Sequence, residues 1–153
     1  MKRVAFFVVL LALSTGTWAA SPWIGVWVLR DSTAGFRLTM TLEEMGAGWN
    51  ITYRIPGQDA QGPAAFNVMT IETMLDGKAV PNLVDGKPSG QTMEIRRIDS
   101  RRTFTVVKFQ GKQTGISKSE ISPDGKVIKT ENDISVSSPN GMAGKQVQYW
   151  DKQ

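Results

Sequence analysis

The chain contains no cysteine and no histidine. Without cysteine no disulfide can close, so core packing alone must hold the fold together. Without histidine the chain lacks the side chain that titrates nearest neutral pH and the commonest ligand for zinc, copper and iron. Together the two absences exclude a Ser-His-Asp triad, a Cys-His pair and an ordinary zinc site. Amphipathic periodicity of the helical kind is missing beyond the N-terminus, as are a phosphate-binding loop and a dinucleotide-binding glycine pattern. No apolar run approaches the roughly twenty residues that a membrane-crossing helix needs.

What is present begins with Lys2 and Arg3, then the unbroken apolar run Val4 to Leu13, then the small or polar stretch Ser14-Thr15-Gly16-Thr17. That order is the one a secretory signal peptide follows. Cleavage after Ala19 places Thr17 and Ala19 in the small-residue positions, whereas cleavage after Ala20 forces Trp18 into one of them. Residues 1–19 are therefore expected to be a signal peptide and residues 20–153 a single domain, periplasmic or secreted. The absence of cysteine excludes a lipid attachment site at the end of the signal, so no stable membrane anchor is expected. Removing Lys2 and Arg3 leaves 16 basic against 14 acidic residues, a net +2, which is a poor argument for nucleic acid as a partner.

Beyond the signal the pattern has period two. Phe36, Leu38, Met40 and Leu42 alternate with polar residues, and Trp49, Ile51 and Tyr53 do the same after the hairpin signal Gly46-Ala47-Gly48. Further strands are expected over Trp23–Arg30, Phe66–Leu75, Gln91–Ile98, Arg102–Gln110, Gln113–Ile121, Lys126–Val136 and Lys145–Asp151, which brings the count to nine. Turn chemistry separates them at Asp76-Gly77, Asp99-Ser100, Gln110-Gly111, Ser122-Pro123-Asp124-Gly125 and Asn140-Gly141. Longer loops are expected over Pro56–Ala65, Gly77–Gly90 and Ser137–Gly144. Short strands joined by tight hairpins favour an all-β, antiparallel up-and-down meander of about 8–10 strands, and closure into a barrel removes its sticky edges.

The later strands carry Lys108, Lys118, Glu120, Lys129, Glu131 and Asp133 among apolar residues. Two readings fit them. Either part of the barrel interior is polar and holds a ligand, or every charge points to solvent and apolar side chains fill the middle.

The segment Trp23-Ile24-Gly25-Val26-Trp27 contains Gly-x-Trp, which resembles the opening motif of lipocalin-type barrels. The chain is also similar to small exported bacterial proteins with a lipocalin-like domain. That resemblance rests on Gly25-Val26-Trp27-Val28-Leu29, Asp76-Gly77-Lys78-Ala79-Val80-Pro81, Met93-Glu94-Ile95-Arg96-Arg97-Ile98-Asp99, Ser122-Pro123-Asp124-Gly125-Lys126 and Tyr149-Trp150-Asp151-Lys152. It implies a lipocalin-like β-barrel whose tryptophan closes one end, and by analogy an internal ligand. The chain departs from true lipocalins in two ways. It has no Thr-Asp-Tyr group in mid-chain and no arginine after Arg102 to stack on the tryptophan from the last strand. Lys145 is the substitute considered for that arginine, a poorer one because it lacks the planar guanidinium.

Four residues are candidates for ligand binding. Trp49 and Tyr53 share a strand face and offer an apolar wall with one hydroxyl. Phe104 adds a third ring. If Met93 and Ile95 point inward, alternation turns Arg97 inward too, where it either grips an acidic head group or pairs with Glu120 or Glu94. The repeated Asp-Gly-Lys triplets at 76, 85 and 124 read as turns, because each aspartate is solitary and a calcium loop needs several oxygen ligands. No metal, cofactor or catalytic residue is expected. The reading is of an exported, non-enzymatic barrel that binds a small hydrophobic or amphipathic, possibly acidic, molecule. A structural or interaction protein of the cell envelope is the alternative, with the Arg96 to Arg102 hairpin as its basic patch.

Overall fold

A computed structural model describes residues 21–30, 37–56, 66–135 and 143–153. The expected signal peptide and the cleavage point after Ala19 lie outside the described residues. The period-two pattern becomes ten strands: β1 (Gly25–Leu29), β2 (Thr39–Met45), β3 (Gly48–Pro56), β4 (Phe66–Thr73), β5 (Asp76–Val84), β6 (Lys87–Arg97), β7 (Arg102–Phe109), β8 (Lys112–Ile121), β9 (Val127–Ile134) and β10 (Gly144–Lys152). Each pairs antiparallel with its neighbours in sequence, and β10 pairs with β1, so the sheet closes into an up-and-down barrel.

Two hairpins turn on the tightest of connections. Asp85 and Gly86 have φ of 48° and 76°, and Gln110 and Gly111 have φ of 48° and 80°. Two consecutive positive φ values make the tight turn whose twist matches the flanking strands. They join Val84 to Lys87 and Phe109 to Lys112.

The tenth strand is β5, which occupies most of the expected loop Gly77–Gly90. Its sequence hides it because Pro81 has no N–H to give a ladder and because register shifts at Asp76/Ala79 and Pro81/Leu83 break the alternation. Asp76-Gly77 is correspondingly not the turn. Met74 and Leu75 make it, with Leu75 at φ 60°, its N–H bonded to Thr73 Oγ1 at 3.1 Å and its carbonyl accepting the Arg97 N–H at 3.0 Å. Burial of the Leu75 side chain offsets the strain of that conformation. Of the three Asp-Gly-Lys triplets, that at 85 closes a hairpin and that at 124 a wider turn, while that at 76 lies inside β5.

The core sits at one end of the barrel. Trp27 is fully buried, and its indole N–H donates to the Trp23 carbonyl at 2.9 Å. Trp23 in turn donates to the Ser100 carbonyl in the β6–β7 turn at 2.8 Å and packs on Trp49 with ring centroids 5.2 Å apart. The short segment before β1 is thus pinned across the barrel base. A cation from the last strand does lie over the Trp27 ring, and it is Lys152, 5.1 Å from the centroid. Lys145 lies at the far end of β10 opposite Asp133, so it cannot be the substitute. Lys152 passes over Gly25, where an added Cβ would meet its Cε at 2.9 Å, and Gly25 has φ 138°. The lysine tip could move aside, so it is the backbone conformation that favours glycine at the first position of Gly-x-Trp.

Candidate functional site

Above the indole plug the barrel is hollow, with a cavity of about 280 Å³. Strand alternation builds it from two unlike walls. On β2, β3, β4 and β6 the cavity-lining residues are mainly apolar, among them Met40, Leu42, Ile51, Met69, Ile71 and Met93. On β7 to β10 the inward positions include Thr105, Ser117, Ser119, Thr130, Asn132 and Gln148. None of the lining residues carries a formal charge at neutral pH.

The polar wall is knitted together. Ser117 Oγ donates to Asn132 Oδ1 at 2.6 Å, Asn132 Nδ2 donates to Gln148 Oε1 at 3.2 Å, and the hydroxyls of Ser119 and Thr130 share a hydrogen bond at 3.0 Å. These bonds fix the side chains and lower the cost of keeping them away from bulk water. Each hydroxyl still has capacity for a further partner. Tyr53 stands between the walls, its ring edge-on to Trp150 at 6.0 Å between centroids. Burial pushes its phenol up to about 12, with no hydrogen bond contributing to the shift. Its neutral O–H lines the cavity and has no hydrogen-bond partner among the described residues.

Beside Met69, β5 contributes one buried polar group with an unmet acceptor. Asn82 is buried and its Nδ2 donates to Gln91 Oε1 at 3.0 Å and to the Met69 sulfur at 3.0 Å, while its Oδ1 has no partner among the described residues. It occupies the second β5 bulge, where the backbone turns the amide inward.

Trp49 and Tyr53 both line the cavity, as their shared face requires. Phe104 does not. Thr103 and Thr105 take the inward positions of β7, and Phe104 between them faces outward, opposite Arg96 and Lys118. Arg97 lies on the inward side of β6, paired with the buried Thr103, but it is the last residue of the strand. It emerges at the base exposed, with its guanidinium 5.2 Å from the Trp49 ring centroid, and is not among the cavity-lining residues. Neither Glu94 nor Glu120 is its ion-pair partner: Glu94 binds Lys108 at 2.5 Å and Glu120 lies 3.4 Å from Arg101.

The charges of β7 to β9 face outward, yet the interior behind them is still polar. Sequence reasoning missed Ser117, Ser119, Thr130 and Asn132 as lining residues. A signal was available: on β8 and β9 these small neutral residues alternate with Lys118, Glu120, Lys129 and Glu131. When both faces of a strand are polar, the uncharged one costs less to bury.

Among the described residues no cluster of three or more His, Cys, Asp or Glu side chains is placed to hold a metal ion. No known protein-family model matches the chain, and neither does any curated protein sequence.

Proposed function

We propose that this protein is an exported, lipocalin-like binding barrel that holds an uncharged amphipathic small molecule in its interior. The observation that carries the reading is the two-sided, charge-free cavity. A flat or elongated ligand would lay its apolar side on Met40, Ile51, Ile71 and Met93 and turn a hydrogen-bonding edge toward Ser117, Ser119 and Thr130. Tyr53 would donate to an acceptor on the same molecule. At about 280 Å³ the space lies near the lower end of ligand pockets, roughly 300–1,000 Å³. An acidic ligand fits less well, because no cation lines the cavity to compensate a desolvated carboxylate.

The test is titration of the purified domain with the neutral fluorophore N-phenyl-1-naphthylamine, repeated on Thr105→Phe and Thr105→Val. Thr105 faces the cavity, so phenylalanine there fills it while valine keeps its volume. The reading expects one probe per chain, with affinity reduced at least about tenfold by phenylalanine and little changed by valine. Equal binding by Thr105→Phe, or no binding to the parent domain, would overturn it.

A further inference from the structure

The outer face of the same sheet carries a second concavity, of about 360 Å³, across β6 to β9. Its floor is the half-buried Phe104, and Ile98, 49% exposed, stands at its edge. Register places Arg96, Phe104, Lys118 and Glu131 in one row across the strands and Arg102, Glu120 and Lys129 in the next.

The charges in these rows are not equally committed. Arg102 is held by Asp99 at 2.6 Å, Lys129 binds Glu131 at 2.5 Å, and Glu120 reaches toward Arg101 at 3.4 Å. Asp76, opposite Arg96 on β5, gives its carboxylate to Lys78 at 2.9 Å. Among the described residues neither Arg96 nor Lys118 makes a close ion pair, although Lys118 lies across from Glu131 and feels its charge, and the two stand one on each side of an outward-facing aromatic ring. Holding an aromatic side chain at the surface between two cations desolvates it only partly, so packing alone gives a weak reason for the arrangement.

We infer that Arg96, Phe104 and Lys118 form an external site for a small aromatic molecule bearing a carboxylate or a similar single anionic group. The ligand ring stacks on Phe104 and its anionic group meets the Arg96 guanidinium and the Lys118 ammonium, both of which bind carboxylates through charge-assisted hydrogen bonds. The closed ladder of the barrel leaves no free strand edge here, so recognition is by side chains alone. Occupancy of this site does not require an occupied interior, because Phe104 faces away from the cavity.

Calorimetric titration with 1-naphthoate, and with 1-naphthalenemethanol as its neutral counterpart, separates the two sites. In the Arg96→Glu, Lys118→Glu double variant, naphthoate affinity is expected to fall at least about tenfold, the loss of one to two charge-assisted contacts. The alcohol should bind as before, and Thr105→Phe should leave naphthoate binding unchanged. Raising the salt to about 0.5 M should weaken the acid several-fold. Both exchanged side chains are exposed, and an unchanged thermal midpoint confirms that the double variant is folded. Naphthoate binding that survives the double exchange, vanishes in Thr105→Phe, or is absent from the parent domain below about 1 mM overturns the inference. Loss of naphthoate binding in Thr105→Phe would place the acid in the interior instead; the other outcomes leave the interior reading untouched, because the neutral fluorophore reports that site separately.

Discussion

Lys152, at the end of the last strand, holds its ammonium 5.1 Å from the ring centroid of Trp27 in the first, and the same nitrogen donates to the Pro22 carbonyl at 2.9 Å. One side chain thus ties the seam of the barrel to the segment that plugs its base. Lys152→Met keeps the aliphatic stem and deletes both polar contacts, and is expected to cost about 1 kcal/mol. Lys145→Met, at the other end of the strand, should stay within about 0.5 kcal/mol of the parent. Urea unfolding midpoints of the two variants check the contrast, and equal midpoints would remove the assigned role from Lys152.

Trp23 is the keystone of the plug, through its ring on Trp49 and its N–H on the Ser100 carbonyl. Trp23→Ala should destabilise the domain by about 3–5 kcal/mol, as expected for loss of a large buried ring. Trp23→Phe retains most of the packing and loses the hydrogen bond, leaving the Ser100 carbonyl to find water, for about 1 kcal/mol. A Phe variant as damaged as the Ala variant would show that the bond, not the ring, dominates.

Tyr53 links the cavity to alkaline stability. Its phenol titrates near 10 when unfolded and is raised to about 12 by burial in the fold. Below pH 10 both states are protonated and the native state keeps its full advantage. Between pH 10 and 12 the unfolded chain ionises first, so stability falls as pH rises, by on the order of 2 kcal/mol in all. Tyr53→Phe should remove this component. The measurement is the difference in unfolding free energy between parent and variant at pH 9 and pH 11.5, which should shift with pH in that direction.

Asp99 gives the opposite slope at the acid end. The side-chain hydrogen bond from Arg102, then the backbone N–H of Arg101, hold its carboxyl below the usual aspartate range. Its contribution is fully present above the ordinary aspartate value and is lost as pH falls through the lowered one. Because this turn carries the Ser100 carbonyl that anchors Trp23, loss of that bond should appear in tryptophan fluorescence. Asp99→Asn should flatten the change in unfolding midpoint between pH 5 and pH 2.5; an equally steep change in the variant would place its origin elsewhere.

The fold was legible where alternation is clean. Leu38 to Leu42 and Trp49 to Tyr53 give apolar residues one face and polar residues the other, and the structure places them so. β5 was not, because Pro81 and two bulges interrupt its period. Inside and outside could not be told apart on β7 to β9 by hydrophobicity, since hydroxyls and amides occupy one face and charges the other. Phe104 shows the cost of ranking residues by apolarity alone: the ring faces out while the smaller Thr103 and Thr105 face in. Arg97 was assigned the correct side of its strand, but alternation does not say how far along the barrel a strand ends.

Closure of the barrel also sets how the domain responds to force. β1 meets β10 through three register pairs, Trp27 with Lys152, Val28 with Asp151 and Leu29 with Trp150. The start of β1 and the end of β10 lie side by side at the base. A pull between Ser21 and Gln153 therefore loads this short seam as a zipper, breaking its rungs one after another instead of shearing them together. The same indole-capped base that stabilises the resting barrel is the place where traction from the two ends would begin to undo it.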